Sequence, residues 1–286
     1  MNRPGDAELP VRTRAALLDA LGALEDQLDA LIVIGAQALY MHAGEADVAI
    51  PPETKDADLS VDRDRLQDEP LLDEALVAAG FHRDLEHPQP GGWFNPDGIP
   101  VDLMIAEAMA GPAARGRRGA RVPPHGRGSM RRTQGLEASI VDNDQVEIGA
   151  IGDSDDKRSF QARVAGPGAL LVAKLHKIGE RSENPTRLQD KDAHDLYRLL
   201  VAVQTPVFAA TVQRLLDHSF SRGVTEQALS HFERLFAAGP AALGSEMAGR
   251  AEAGVGSPDV VSASVATLAT DLLEAVGRSQ GGLGRS

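Results

Sequence analysis

The sequence predicts an α/β (α+β) chain in two parts: a mixed sheet with helices, followed by a helical bundle. Short apolar segments with strand-like spacing alternate with helical segments as far as position 165. From position 166 onwards, apolar residues recur only at the three- and four-residue spacing of helices. The predicted domains therefore cover residues 1–165 and 166–286.

The amino-terminal part opens with an amphipathic helix. Leucines recur at helical spacing between Val11 and Leu28, so that they share one helix face. The apolar segment Leu31–Ile34 then predicts a buried strand, and a short helix is expected from Gln37 to His42. A further helix is expected over 70–79, ended by Gly80.

The other strands are predicted from apolar segments bounded by turn residues. A hairpin turn is expected at Asn95-Pro96-Asp97-Gly98, where turn-forming residues separate two apolar segments. The predicted strands lie around Asp56–Asp58 and over 92–95, 99–104, 146–151 and 159–164. Together they predict a mixed sheet.

Cap residues locate helices in the carboxy-terminal part. Thr205-Pro206 and Ser257-Pro258 each predict a helix start, because proline is favoured in the first helical turn. Thr225 is expected to cap a third helix that stops at Gly239. The small and polar residues 277–286 are expected to fray.

Composition favours a cytoplasmic protein. The chain has 286 residues, 42% of them apolar, and no cysteine, which excludes disulfide and thiolate chemistry. The first residues carry no basic segment leading into an apolar core, so no signal peptide is expected. Since no uninterrupted apolar run reaches about 20 residues, no membrane partner is expected.

Three aspartates on two apolar segments predict a metal-nucleotide site. Asp56 and Asp58 lie two apart on a predicted strand and therefore share a face, as does Thr54. Asp102 lies on a later strand, between Val101 and Leu103. Mg²⁺ prefers oxygen ligands and shares its shell with phosphates. The pattern therefore predicts two Mg²⁺ ions bound with a nucleoside triphosphate.

A glycine turn precedes these aspartates. Gly35-Ala36 ends the first predicted strand and opens a helix. The first turn of a helix has unpaired N–H groups and a positive dipole end, which favour phosphate oxygens. Gly35 and Ala36 are therefore candidate nucleotide-binding residues, together with Thr54.

The order of these motifs resembles the nucleotidyltransferase superfamily with a DNA polymerase β-like fold. That pattern is a glycine turn, an Asp-x-Asp strand and a third aspartate on a later strand. Segments 169–177 and 191–200 extend the resemblance to the AbiEii/AbiGii toxin family. The sequence departs from the pattern at Ala36, where serine or a second glycine is frequent.

The resemblance implies a reaction and a role. Asp56, Asp58 and Asp102 would bind two Mg²⁺ ions, Lys174 and Lys177 would contact the triphosphate, and Asp192 would act with Lys174. A nucleoside monophosphate would pass to an acceptor hydroxyl with release of pyrophosphate. The acceptor implied is an RNA such as the 3′ end of tRNA, and the role is that of the toxin in a toxin–antitoxin or phage-defence pair, with a cognate antitoxin as partner.

Two other functions fit the same residues. An aminoglycoside-type nucleotidyltransferase would use the same chemistry on a small cationic acceptor, and an acidic chain with net charge −13 suits such a substrate. The other is a nucleotide-binding module without turnover.

A basic stretch interrupts the acidic chain between 108 and 136. It holds no acidic residue and is punctuated by glycine and proline, so a long mobile loop is expected. The loop would either clamp an RNA backbone or be a solvated insertion. Its seven arginines are Arg115, Arg117, Arg118, Arg121, Arg127, Arg131 and Arg132.

Overall fold

The fold is a mixed α/β arrangement with a seven-stranded sheet. A computed structural model describes residues 9–44, 55–112, 118–152 and 155–282. The chain divides into two compact units, one of Met1–Ala38 and Glu53–Ala165 and the other of Leu39–Pro52 and Gly166–Ser286. The sequence predicts residues 39–52 as part of the amino-terminal domain.

The sheet forms the centre of the first unit. Its strands lie in the order β3-β4-β2-β1-β7-β6, and β5 also pairs with β4. The strands are β1 Leu31–Ile34, β2 Ala57–Val61, β3 Gly92–Phe94, β4 Pro100–Ala106, β5 Arg131–Thr133, β6 Asn143–Gly149 and β7 Ser159–Ala165. The bounds of β1 are those predicted, and the predicted hairpin is the antiparallel pair of β3 and β4.

The central strands are both the most buried and the ones that carry the candidate site. β1 runs antiparallel to β2 and parallel to β7, while β2 runs parallel to β4. All four residues of β1 are buried, as are four of the five in β2. Such continuous burial is typical of strands covered on both faces.

Among the described residues, four helices belong to the first unit in whole or in part. They are α1 Leu9–Ala23, α2 Gly35–Ala43, α3 Leu72–Ala78 and α4 Glu137–Val141. The predicted opening helix is shorter than expected, because the chain tightens into a 3-10 helix over Glu25–Ala30 before it enters β1. α2 begins at Gly35 itself, two residues earlier than predicted.

The described part of the basic stretch is folded, in contrast to the predicted mobile loop. Arg131–Thr133 forms β5, and Ala120 is buried upstream of it. His125 is also buried: its Nδ1 accepts the Leu72 N–H at 3.3 Å, and its Nε2 lies 2.9 Å from the Gln67 carbonyl oxygen. These long-range contacts outweigh the local turn signals.

The arginines of this stretch have different environments. Those that are exposed are Arg118, Arg121 and Arg127. Arg132 is partly buried and donates to the carbonyl oxygens of Ala110 and Gly111, at 3.2 and 2.9 Å. Arg131 contacts a carboxylate described below. Arg115 and Arg117 lie outside the described residues.

Helices make up the described regular structure of the second unit after position 166. They are α5 Pro167–Ser182, α6 Asp190–Ala202, α7 Thr205–Asp217, α8 Arg222–Phe232, α9 Leu243–Ala251 and α10 Pro258–Gly282. Two predictions were wrong. Thr225 lies inside α8, where its hydroxyl donates to the Ser221 carbonyl oxygen, and α10 continues to Gly282 instead of fraying from 277.

One described helix has the length and composition of a membrane span. An 18-residue stretch within residues 258–277 of α10 has a mean hydropathy of 1.4, although the sequence predicts no uninterrupted apolar run of membrane-spanning length. α6 and α7 meet the criterion only when taken together, across a bend of 114°. α10 packs against α7 and α9, and 33% of its 18-residue stretch is buried, including Val265, Ala269 and Leu272.

We expect Leu59→Ala to lower the free energy of unfolding by about 2–5 kcal/mol, because it opens a cavity under the central strand β2. Leu59 is fully buried. The matched control is Leu85→Ala, which removes the same atoms from a side chain that is 90% exposed and should change stability by less than about 0.5 kcal/mol. Urea denaturation measures both, and equal effects would contradict the described burial.

Candidate active site

Two of the predicted aspartates lie side by side on the sheet. β2 and β4 are parallel neighbours, and Asp58 pairs in register with Asp102. Register partners on adjacent strands project from the same face, and neighbouring strands lie about 4.8 Å apart. Both residues are only partly buried, whereas Leu59 and Leu103 next to them are fully buried. The sheet therefore presents a pair of carboxylates at a partly open position.

This carboxylate pair belongs to a row that crosses four strands. Ile34 of β1 pairs with Asp58 on one side, and Gly92 of β3 pairs with Asp102 on the other. Gly92 has no side chain, and a Cβ built there would lie 3.6 Å from both Asp102 Oδ1 and Gln89 Cβ. The row therefore runs from an isoleucine on β1, through two aspartates, to a glycine on β3.

Gly35 allows the Asp58 carboxylate to approach the backbone at the start of α2. Its φ is +68°, a conformation that favours glycine. A Cβ built at this position would overlap Asp58 Oδ2 and lie 2.9 Å from Asp58 Cβ. The glycine is therefore required for two reasons: its backbone conformation and the space that Asp58 occupies.

The other residues predicted for this site are placed as follows. Asp56 is partly buried and lies one residue before β2, so it is not itself part of the Asp-x-Asp strand that was predicted. Ala36 lies in the first turn of α2, next to Gly35. Thr54 lies outside the described residues.

Arg131 contacts one of the two candidate carboxylates, that of Asp102, which the sequence did not predict. Its Nη2 donates to Asp102 Oδ2 at 2.7 Å, and its Nη1 donates to Gln89 Oε1 at 3.4 Å. Asp102 and Arg131 are separated by 29 positions in the chain, and no local pattern links them. The interaction arises because β5 pairs with β4.

The carboxylates have suitable chemistry for Mg²⁺, but they are not arranged as a closed metal centre. Asp58 and Asp102 offer hard oxygen ligands on one face, as Mg²⁺ requires. Within the ranges that the structure describes, no three His, Cys, Asp or Glu side chains are grouped so as to hold a metal ion. Asp102 Oδ2 is instead hydrogen-bonded to a guanidinium.

The second unit contains the other predicted site residues in an ion cluster of its own. Lys174 Nζ donates to Asp192 Oδ1 at 2.9 Å and to Asp195 Oδ2 at 2.6 Å. Lys177 Nζ donates to Asp192 Oδ1 at 2.8 Å, and Arg181 Nη1 lies 3.4 Å from Asp192 Oδ2. The basic stripe of α5 thus converges on one carboxylate of α6.

Burial and charge together determine the ionisation of this cluster. Burial alone would lower the pKa of Lys174, but Asp195 and Asp192 outweigh it and raise that pKa. Burial would likewise raise the pKa of Asp192, but Lys174 and Lys177 hold it well below its ordinary value. Burial and the nearby Lys174 lower the pKa of Lys177. The Lys174–Asp192 pair is therefore fully charged at neutral pH.

Lys174 has little capacity left for a further ligand. An ammonium group has three N–H donors, and two of them bond to Asp192 and Asp195. Its side chain is only 10% exposed, compared with 38% for Lys177. Of the two predicted triphosphate contacts, Lys177 is the more accessible.

Comparison with known proteins finds no relative: no family model, curated protein or solved structure matches the chain. The resemblance to nucleotidyltransferases therefore rests on the order of the motifs in the sequence.

We expect Gly35→Ala to lower the free energy of unfolding by about 1–3 kcal/mol, because alanine is strained at a positive φ and its Cβ would displace Asp58. Gly223→Ala is the control, since a Cβ there meets no atom within 4 Å. It lies in α8, where alanine should be neutral or stabilise by less than about 1 kcal/mol. Denaturant titration distinguishes the two, and an unaffected Gly35→Ala variant would disprove the close approach of Asp58.

Asp192→Asn should destabilise the protein by about 3–5 kcal/mol, because it removes the carboxylate that three cations share and leaves Lys174 incompletely paired in a buried position. Asp190→Asn is a matched control on the same helix. Asp190 is 37% exposed and pairs with Arg250 at 2.8 Å, so its loss should cost less than about 1 kcal/mol.

The pH dependence of this difference follows from the lowered pKa of Asp192. A carboxyl group whose pKa is depressed below 3.8 stabilises the fold fully above that value, and the stabilisation is lost as the pH falls below it. The gap in unfolding free energy between the unmutated protein and Asp192→Asn should therefore be constant from neutral pH to about pH 5 and shrink below about pH 4. A gap that persists unchanged in acid would contradict the assigned ion cluster.

Proposed function

We propose that this chain is a metal-dependent nucleotidyltransferase with the nucleotidyltransferase fold and a carboxy-terminal helical bundle. The observation that carries the proposal is the pairing of Asp58 with Asp102 on adjacent parallel strands, directly beside the glycine that opens α2. Two acids at this position cost stability in a sheet, since like charges on neighbouring strands repel. A binding or catalytic role explains why they are there.

The chemistry proposed uses residues of the first unit. Asp58 and Asp102 would be the principal metal ligands, with Asp56 beside them. A divalent cation held there would supply Lewis-acid chemistry, lowering the pKa of an acceptor hydroxyl and neutralising charge on the leaving pyrophosphate. The N–H groups at the start of α2 would bind phosphate oxygens, even without a side-chain hydroxyl at Ala36. Asp102 would accept the proton of the attacking hydroxyl.

An RNA acceptor is the favoured substrate class. Three exposed arginines, Arg118, Arg121 and Arg127, belong to the same unit as the carboxylates. Arginine binds phosphate groups through paired hydrogen bonds, which suits the backbone of a nucleic acid. By resemblance to AbiEii-type toxins, the acceptor would be a tRNA 3′ end and the role that of a cytoplasmic toxin controlled by an antitoxin.

The test is transfer of label from each α-labelled nucleoside triphosphate to total tRNA in the presence of Mg²⁺. Asp58→Asn should reduce transfer at least about a hundredfold, because the cation loses a principal ligand. Asp64→Asn is the control, since it removes the same charge from an exposed residue that follows β2. If Asp58→Asn transfers label as fast as the control, the proposed chemistry is wrong.

The same assay with an aminoglycoside in place of tRNA identifies the acceptor. Pyrophosphate release that occurs with the aminoglycoside but not with tRNA would favour a small-molecule nucleotidyltransferase. Nucleotide binding without pyrophosphate release from any mixture would indicate a module without turnover.

A further inference from the structure

The contact between Arg131 and Asp102 suggests a function beyond holding β5 in place. Arg131 pairs in register with Met104, two residues after Asp102, so the side chains of Asp102 and Arg131 project from the same face. In this ion pair Arg131 Nη2 lies 2.7 Å from Asp102 Oδ2. The Arg131 side chain is 19% exposed and the Asp102 side chain is 25% exposed. It is thus shielded from bulk water yet open enough to exchange partners.

Electrostatics give this pair its importance. Asp58 and Asp102 are neighbours on parallel strands, and their negative charges repel each other in the absence of a cation. Arg131 provides one positive charge at this position. A divalent cation bound by the same carboxylates would provide two charges and would be repelled by the guanidinium. Arg131 and the metal ion would therefore both be attracted to Asp102, and each would weaken the binding of the other.

We infer that Arg131 is an internal counter-ion that competes with a divalent cation for Asp102. This inference rests on the proposed function and assigns a regulatory residue to its metal site. With no cation bound, the guanidinium holds Asp102 Oδ2 and stabilises the paired strands. When a cation binds together with a nucleotide, Arg131 exchanges the carboxylate for a phosphate oxygen, a partner that a guanidinium binds equally well. Metal and nucleotide binding are thereby coupled.

The inference predicts opposite effects of one substitution on two measurements. Arg131→Gln should lower the thermal midpoint of the protein in chelator, because Asp102 loses its ion pair with the guanidinium. The same variant should bind Mn²⁺ roughly tenfold more tightly, because the competing charge is gone. Titration of Mn²⁺ by electron paramagnetic resonance, which detects the free ion, measures the affinity. Arg131→Lys keeps the charge and should remain closer to the unmutated protein in both measurements.

Two further variants act as controls. Arg158→Gln removes the same charge from the same unit, but Arg158 pairs with Asp19 and Asp156, so Mn²⁺ affinity should not change. Asp58→Asn should weaken Mn²⁺ binding and so identifies the site.

The outcomes separate this inference from the proposed function. If Asp58→Asn weakens Mn²⁺ binding but Arg131→Gln leaves the affinity unchanged, Arg131 has a structural role only and the inference fails while the proposed function stands. If neither the unmutated protein nor Arg131→Gln binds Mn²⁺ saturably, both fail. If Arg158→Gln also raised the Mn²⁺ affinity tenfold, the loss of one positive charge from the protein would explain the gain by itself. That result would also overturn the inference.

Discussion

The pairing of β2 with β4 in one register is the constraint on which the candidate site depends. It brings Asp58 and Asp102 together, and the features around them follow from that placement. Gly35 is needed because any Cβ would occupy the position of the Asp58 carboxylate. Arg131 of β5 donates to Asp102 Oδ2 and gives this carboxylate a positive partner. A shift of one residue between the strands would turn these side chains to opposite faces and abolish the arrangement.

The second unit solves a similar charge problem in a different way. Asp192 is almost completely buried, and it accepts hydrogen bonds from Lys174, Lys177 and Arg181. Burying an ion is costly, and hydrogen-bonded partners of opposite charge offset that cost only when the geometry is good. The cluster therefore links α5 to α6 through hydrogen bonds from three cations to one buried carboxylate. Lys174, a candidate ligand group from its sequence context, is engaged by two carboxylates in the folded chain.

Sequence reasoning worked where a local pattern decides the structure. The apolar segment at β1 and the turn residues between β3 and β4 predicted those strands, because burial and turn geometry act over a few residues. It did not predict β5, a three-residue polar strand that exists through its pairing with β4. The sequence predicts a mobile loop over the basic stretch for the same reason: the partners of His125 lie more than fifty positions away.

The sequence by itself determined the mixed α/β character of the chain, the β1 strand and the set of acids available for a metal site, since composition and periodicity encode these directly. Tertiary structure alone decided which acids are neighbours and which cation faces them. Asp58, Asp102 and Arg131 come from three strands, and their contacts are set by strand pairing. The physical reason is that hydrogen-bonded register between strands depends on the packing of the whole sheet, which no short segment specifies.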